Sequence, residues 1–263
     1  MKKRLERGRE VLIVILLALA LFGISYASSQ PSGADVNEGS SQRAPADAPE
    51  SVAAQAGNVT ELNIFGYTVT QSWQGYFGNV TGTIQLADGS DNVFYNWSAI
   101  SPQGEIFSSA NSTINWANIQ CFNFTATGTM NSSGETPGGT SLNGTNLSQL
   151  EALYNIEEGD VDGVDETFVL KDHDGFYVSS LQFSANECVS TRIYGDTGAG
   201  VDQEFEEVIL YDPVTTSVVF TSLLEQDLLG FDQRTHDFQM LVLEDGHGTD
   251  TEVTPYYFFV ELE

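Results

Sequence analysis

The sequence predicts an all-β fold: an antiparallel β-sandwich or barrel-like domain with one short helix, set behind an apolar N-terminal segment and a linker. Three observations point there. β-Branched and aromatic residues recur with a period near two from residue 60 onward. Gly, Asn and Asp turn signals interrupt them roughly every 8–12 residues. A helical period stands out around residues 147–154. With 41% hydrophobic residues in 263, the chain has enough apolar material for a core and too much for a disordered polymer.

Residues 1–27 read as a targeting segment. Lys2, Lys3, Arg4, Arg7 and Arg9 precede an unbroken apolar run, Val11 to Phe22, and small residues stand at Ser25 and Ala27. That order is an export signal cut after Ala27. Val11 to Ala27 also reaches the lower length limit of an uncleaved membrane anchor, and a pilin-type leader cut after Gly8 is a third reading. All three carry the rest of the chain to the cell surface or the extracellular space. Residues 28–57 hold no aromatic side chain, and Val36 and Val52 are their β-branched residues. Such a stretch buries too little to offset its ordering entropy, so it reads as a flexible linker or stalk.

The domain is expected to span 58–263. Thr60 to Phe65 and Tyr67 to Thr70 open it as strands, and Trp73 to Leu86 continues the period of two. Ala87-Asp88-Gly89-Ser90 is a turn signal, and Asn92 to Ser98 returns as a strand. Glu105 to Phe107, Ile119 to Thr127, Thr167 to Leu170, Phe176 to Phe183 and Val189 to Tyr194 follow. Phe205 to Tyr211, Ser217 to Leu223, Phe238 to Leu243 and Tyr256 to Glu261 complete the set. The helix has Leu147, Leu150, Leu153 and Tyr154 on one face, and Ser148 with Glu151 fits a capping box. Cys121 and Cys188 are the two cysteines, and an exported chain pairs them as a disulfide. That bond joins the two halves and favours one domain.

Formal net charge is −28, and removing the leader makes it −31. Nucleic acid is excluded, because it needs a basic face to displace counterions. Asn-x-Ser/Thr sites occur at Asn58, Asn79, Asn96, Asn111, Asn123, Asn131, Asn143 and Asn146, well above chance and all in the first half of the domain. An exported chain can carry glycans there. Asn123 sits between Phe122 and Phe124, where a strand would hide it. Acids crowd the other half. The densest run holds Asp160, Asp162, Asp165 and Glu166 on a Gly-broken loop. Alternating carboxylates of this kind suit calcium, which takes six to eight oxygens. The run resembles the start of an EF-hand, but its Gly arrives early and the closing Glu is missing; a solvated acidic loop is the alternative. Asp172-His173-Asp174-Gly175 is a second candidate turn for a cation, with a plain hairpin tip as the alternative.

No residues stand out as catalytic. The chain lacks a Gly-x-Ser-x-Gly elbow, a His-Glu-x-x-His pair and a P-loop. His173, His236 and His247 sit beside acid or Gly in expected loops, and His236-Asp237 could form half of a hydrolase constellation. Trp73, Tyr76, Phe77, Tyr95, Trp97 and Trp116 could stack on sugar rings, or fill a core. At Trp73 to Val80 and His236 to Val242 the chain resembles a group of exported archaeal surface proteins. That resemblance implies a surface location and brings no catalytic residues. The sequence thus suggests a non-enzymatic, exported cell-surface glycoprotein in adhesion, envelope structure or partner binding. Its expected partners are other surface proteins or glycans, and it meets a membrane through its N-terminal segment if that is uncleaved. A secreted carbohydrate-binding module or glycoside hydrolase is the alternative, and a pilin-like filament subunit a further one. No cofactor is expected beyond calcium, and the oligomeric state is open.

Overall fold

A computed structural model describes residues 30–98, 103–124, 147–247 and 253–262. The leader and the sequons at Asn131, Asn143 and Asn146 lie outside the described residues. Among those described, no helix is long and apolar enough to cross a membrane. In chain order the strands are β1 (Ser32–Gly33), β2 (Trp73–Gly78), β3 (Thr83–Ala87), β4 (Val93–Ser98) and β5 (Gly104–Ser109). Then come β6 (Gln120–Cys121), β7 (Phe176–Val178), β8 (Leu181–Phe183), β9 (Ser190–Arg192) and β10 (Glu206–Asp212). The last are β11 (Ser217–Leu223), β12 (Leu228–Leu229), β13 (Thr235–His236), β14 (Phe238–Leu243) and β15 (Tyr257–Leu262). Two short helices, α1 (Leu147–Leu153) and α2 (Val164–Thr167), and a 3₁₀ turn at Trp116–Asn118 complete the set.

The fold is antiparallel and mostly β, as expected. Its main sheet runs β1-β15-β5-β11-β10-β6, with β9 also on β10. Alternation along the central strands feeds two cores rather than one. Ile106, Ile209, Tyr211 and Phe220 point to a face covered by β14, α1 and α2. Phe107, Val208, Leu210 and Val219 point to the opposite face, covered by the β7–β8 hairpin and Trp116. Covering both faces explains why all seven residues of β10 are buried.

Acids inside this sheet act as fasteners. Glu105 and Glu261 are register partners, and they accept the backbone N–H groups of Tyr177 and Ser179, seating the β7–β8 hairpin. Glu207 accepts Leu241 N–H at 2.8 Å, and Ser222 donates to the Gln239 carbonyl at 2.9 Å. These bonds satisfy the edge of β14 that faces away from its partner β2. β2 and β14 pair with each other along their full length.

Cys121 and Cys188 form a disulfide, with Cα atoms 5.1 Å apart. Short strands β6 and β9 share one edge of β10, opposite Leu210 and Val208 respectively. The bond staples β6 to the segment leading into β9. The Cys188 N–H donates to His173 Nε2 at 2.9 Å, while Nδ1 of the same ring bonds the Asp174 carbonyl. His173 is therefore a buried core residue, not part of a solvated hairpin tip.

Several local expectations fail. Residues 60–70 form no strand and are almost wholly exposed. Within the linker, Ser32 and Gly33 pair with Val260 and Phe259 as an edge strand of the main sheet. Thr167 closes helix α2 instead of opening a strand, leaving one isolated bridge from Leu170 to Ser190. Leu153 is 71% exposed, so the buried residues of α1 are Leu150 and Glu151, with Tyr154 buried just past its end. Ser148 lies inside that helix, and Glu151 caps another element.

Candidate functional site

The acidic loop gathers a carboxylate set that only partly matches the expected one. Oxygens of Glu151, Asp165 and Glu166 all lie within 4.8 Å of one another. Asp160 and Asp162 are spent on shaping the loop. Asp160 accepts the Glu157 N–H at 2.8 Å, and its carbonyl accepts from Gly163. Asp162 accepts Thr70 Oγ1 at 2.5 Å through its carboxylate and Trp73 Nε1 at 2.6 Å through its carbonyl. These bonds tie the loop to the start of β2.

Glu151 is the member of this cluster that the sequence reading missed. It sits on α1, nine positions before Asp160, and is 6% exposed. Its carboxylate accepts the Val164 N–H at 3.1 Å, at the start of α2. Gly163 leaves the necessary room: a Cβ there would meet Glu166 Oε2, with the Asp160 carbonyl and Glu151 Oε1 each 3.1 Å away. Burial raises the Glu151 pKa, and the Asp165, Glu166 and Asp160 charges add to it against the Val164 bond. A hydrogen bond with Asp165 raises Glu166. Asp165 and Glu166 are exposed and Glu151 is buried, so a shared proton or a cation would most relieve Glu151. Three such oxygens would supply about half of a calcium shell, the rest coming from backbone carbonyls and water.

Of the sequons described, Asn58, Asn79, Asn96 and Asn123 are exposed. β6 ends at Cys121, so no strand hides Asn123. Asn111 is half-buried, and its Nδ2, the atom a glycan would modify, donates to Ser217 Oγ at 2.9 Å.

The six candidate aromatics divide. Trp116 is buried, and Trp73 and Tyr76 pack against the first core. Phe77 is 42% exposed and lies 5.0 Å from Phe231 and 4.8 Å from the ring of His236. Tyr95 and Trp97 are open to solvent, with ring centroids 4.9 Å apart. His236 is buried and pairs through Nε2 with Asp232 at 2.8 Å, not with Asp237. Asp237 instead accepts the backbone N–H groups of Val80 and Asp227. The His236-Asp237 pair is therefore no hydrolase constellation. Two of the grooves among the described residues bear on the choice between a hydrolase and a contact surface. One, of about 450 Å³, is lined by Gly33 and Tyr256 to Phe259; another, of about 640 Å³, runs along Ile119 to Phe124. Neither is lined by a Trp or by a pair of carboxylates.

Comparison with known proteins finds no match to this chain among family models, curated sequences or solved structures.

Proposed function

We propose that this chain is an exported cell-surface glycoprotein that works through contact rather than catalysis, in adhesion, envelope structure or partner binding. One observation carries the reading. Four sequon side chains stand exposed on the acid-poor part of the chain. Sugar there would shield the surface around each of these asparagines and leave the rest, including the face of β4 opposite Asn96, for contacts. Glycopeptide mass spectrometry on the chain purified from its own cells is expected to find sugar on Asn58, Asn79, Asn96 or Asn123. Asn111 is expected to be the least occupied of the five described. Unmodified asparagines at all five positions would remove the glycoprotein reading.

Calcium is the ion that the same reading assigns to Glu151, Asp165 and Glu166. Millimolar calcium is expected to raise the melting temperature, and Glu166→Gln to abolish the rise. Equal melting with calcium and with chelator would remove the site. The open rings of Tyr95 and Trp97 favour a carbohydrate-binding module as the second reading. Glycan-array binding that Trp97→Ala abolishes would put it first.

A further inference from the structure

We propose that the hairpin β3–β4 receives a second copy of this chain, whose residues 62–69 add to it as a strand. This goes beyond the surface-glycoprotein reading and holds with or without sugars. The hairpin is a two-stranded sheet on its own, so among the described residues both outer edges are open. Its register pairs Ile84 with Trp97 and Leu86 with Tyr95, placing all four on one face. They are 47%, 51%, 52% and 57% exposed respectively. The opposite face carries Thr83, Gln85, Asn96 and Ser98, with Phe94 at the turn end, 84% exposed. Four apolar side chains gathered on one uncovered face mark a contact surface.

The same chain holds a segment of matching chemistry. Residues 60–70 have a strand's composition and belong to no element, and Ile64 and Phe65 are 87% and 92% exposed. Cross-strand addition would pair their backbone groups and bury their side chains against the hairpin. Placement favours a second copy over folding back. Backbone bonds from Gly246 to Gln71 and from Glu244 to Ser72 fix the segment's end beside Trp73. The hairpin follows the other end of β2, about 20 Å away for a six-residue strand.

Charge selects the same occupant. Residues 59–98 carry Glu61, Asp88 and Asp91 and no base, in a chain of −28. Two copies can meet there with little repulsion, whereas a basic partner would be drawn to the acid-rich part. On the apolar face the Tyr95 hydroxyl and the Trp97 indole N–H are the side-chain hydrogen-bonding groups, and Ile84 and Leu86 offer none. Asp88 and Asp91 at the turn and Asn96 on the far face oppose insertion into a membrane. Because donor and acceptor sit at opposite ends of one strand, each contact leaves one of each free. Such a heterologous contact extends to a ring where its rotation closes and to an open chain where it does not.

Three samples of the full chain test this by sedimentation velocity, in about 1 M salt, where screening shortens charge repulsion to about 3 Å. Wild type is expected to form species larger than dimers. Ile64→Gln with Phe65→Gln removes the donor, and Tyr95→Gln with Trp97→Gln removes the acceptor. Each variant alone is expected to lose about 30-fold or more in association, as loss of an aromatic anchor does. A one-to-one mixture is expected to stop at dimers, since one intact donor and one intact acceptor remain. All substituted side chains are exposed, and circular dichroism checks the fold. The proposal is overturned by a monomeric wild type, by variants that associate like wild type, or by a mixture that forms no dimer.

Discussion

Replacing Cys121 and Cys188 together by alanine is expected to lower the unfolding free energy by about 4 kcal/mol. The size follows from the loop: 67 positions separate the two residues, and cross-linking them removes most of that loop's freedom from the unfolded chain. The native consequence is local. Without the bond, β6 holds β10 through the two register pairs at Leu210 and Tyr211 and through the Phe122 N–H to the Ile209 carbonyl. Phe122 and Ile209 belong to one core, Cys188 and Leu210 to the other, so the loss is felt on both faces. Urea titration of the double variant, with the slope unchanged, measures it. A loss under about 1 kcal/mol would mean that the short strands hold the edge of β10 unaided.

Stability is expected to fall as pH rises from about 5 to about 8, against the usual behaviour of a protein whose carboxylates are salt-bridged. Here burial dominates. It pushes Glu207 well above the ordinary carboxylate range, with the Leu241 bond as the one opposing effect. Burial also raises Glu206, ahead of the bonds from Asp174 and Gln203 that lower it. Glu225 is raised to about 7 by burial, and the Glu206, Asp174 and Glu204 charges add to this. A group whose folded pKa is raised stabilises the fold below its unfolded value and loses that contribution as pH climbs through the folded one. For Glu225 the window runs from 4.5 to about 7. It contributes about 1–2 kcal/mol after allowance for partial exposure.

Asp232 behaves oppositely, in a separate window. Burial pushes it up, but bonds from His236 and Arg234 outweigh this and hold it down to about 2. Its contribution is lost only in strong acid. Calorimetric melting across pH tests the sign. Glu225→Gln and Glu207→Gln are each expected to flatten the profile and raise the neutral-pH melting temperature, since Gln keeps an acceptor without the charge. A profile that rises toward pH 8 would refute the account.

These buried acids mark the limit of the sequence reading. Composition presents the acids as surface charge, yet Glu105, Glu151, Glu206, Glu207, Asp212, Asp237 and Glu261 are all buried. Each named bond partner of Glu105, Glu151, Glu207 and Glu261 is a backbone N–H from another element. No local pattern announces such a bond, because its donor is distant in sequence. Residues 60–70 fail in the other direction. Their β-rich composition suits a strand, but a strand needs a neighbour, and none of the described residues pairs with them.

Local chemistry determined the β class, the order of most strands, helix α1, the pairing of the only two cysteines and the placement of the sequons. Each is written in neighbouring residues or in a simple count. Tertiary structure decided that the central sheet is covered on both faces, that Glu151 joins Asp165 and Glu166 while Asp160 and Asp162 do not, and that Tyr95 and Trp97 stay open to solvent. Period two states that side chains alternate; whether a face meets water or a second layer depends on residues that the chain brings back from far along its length.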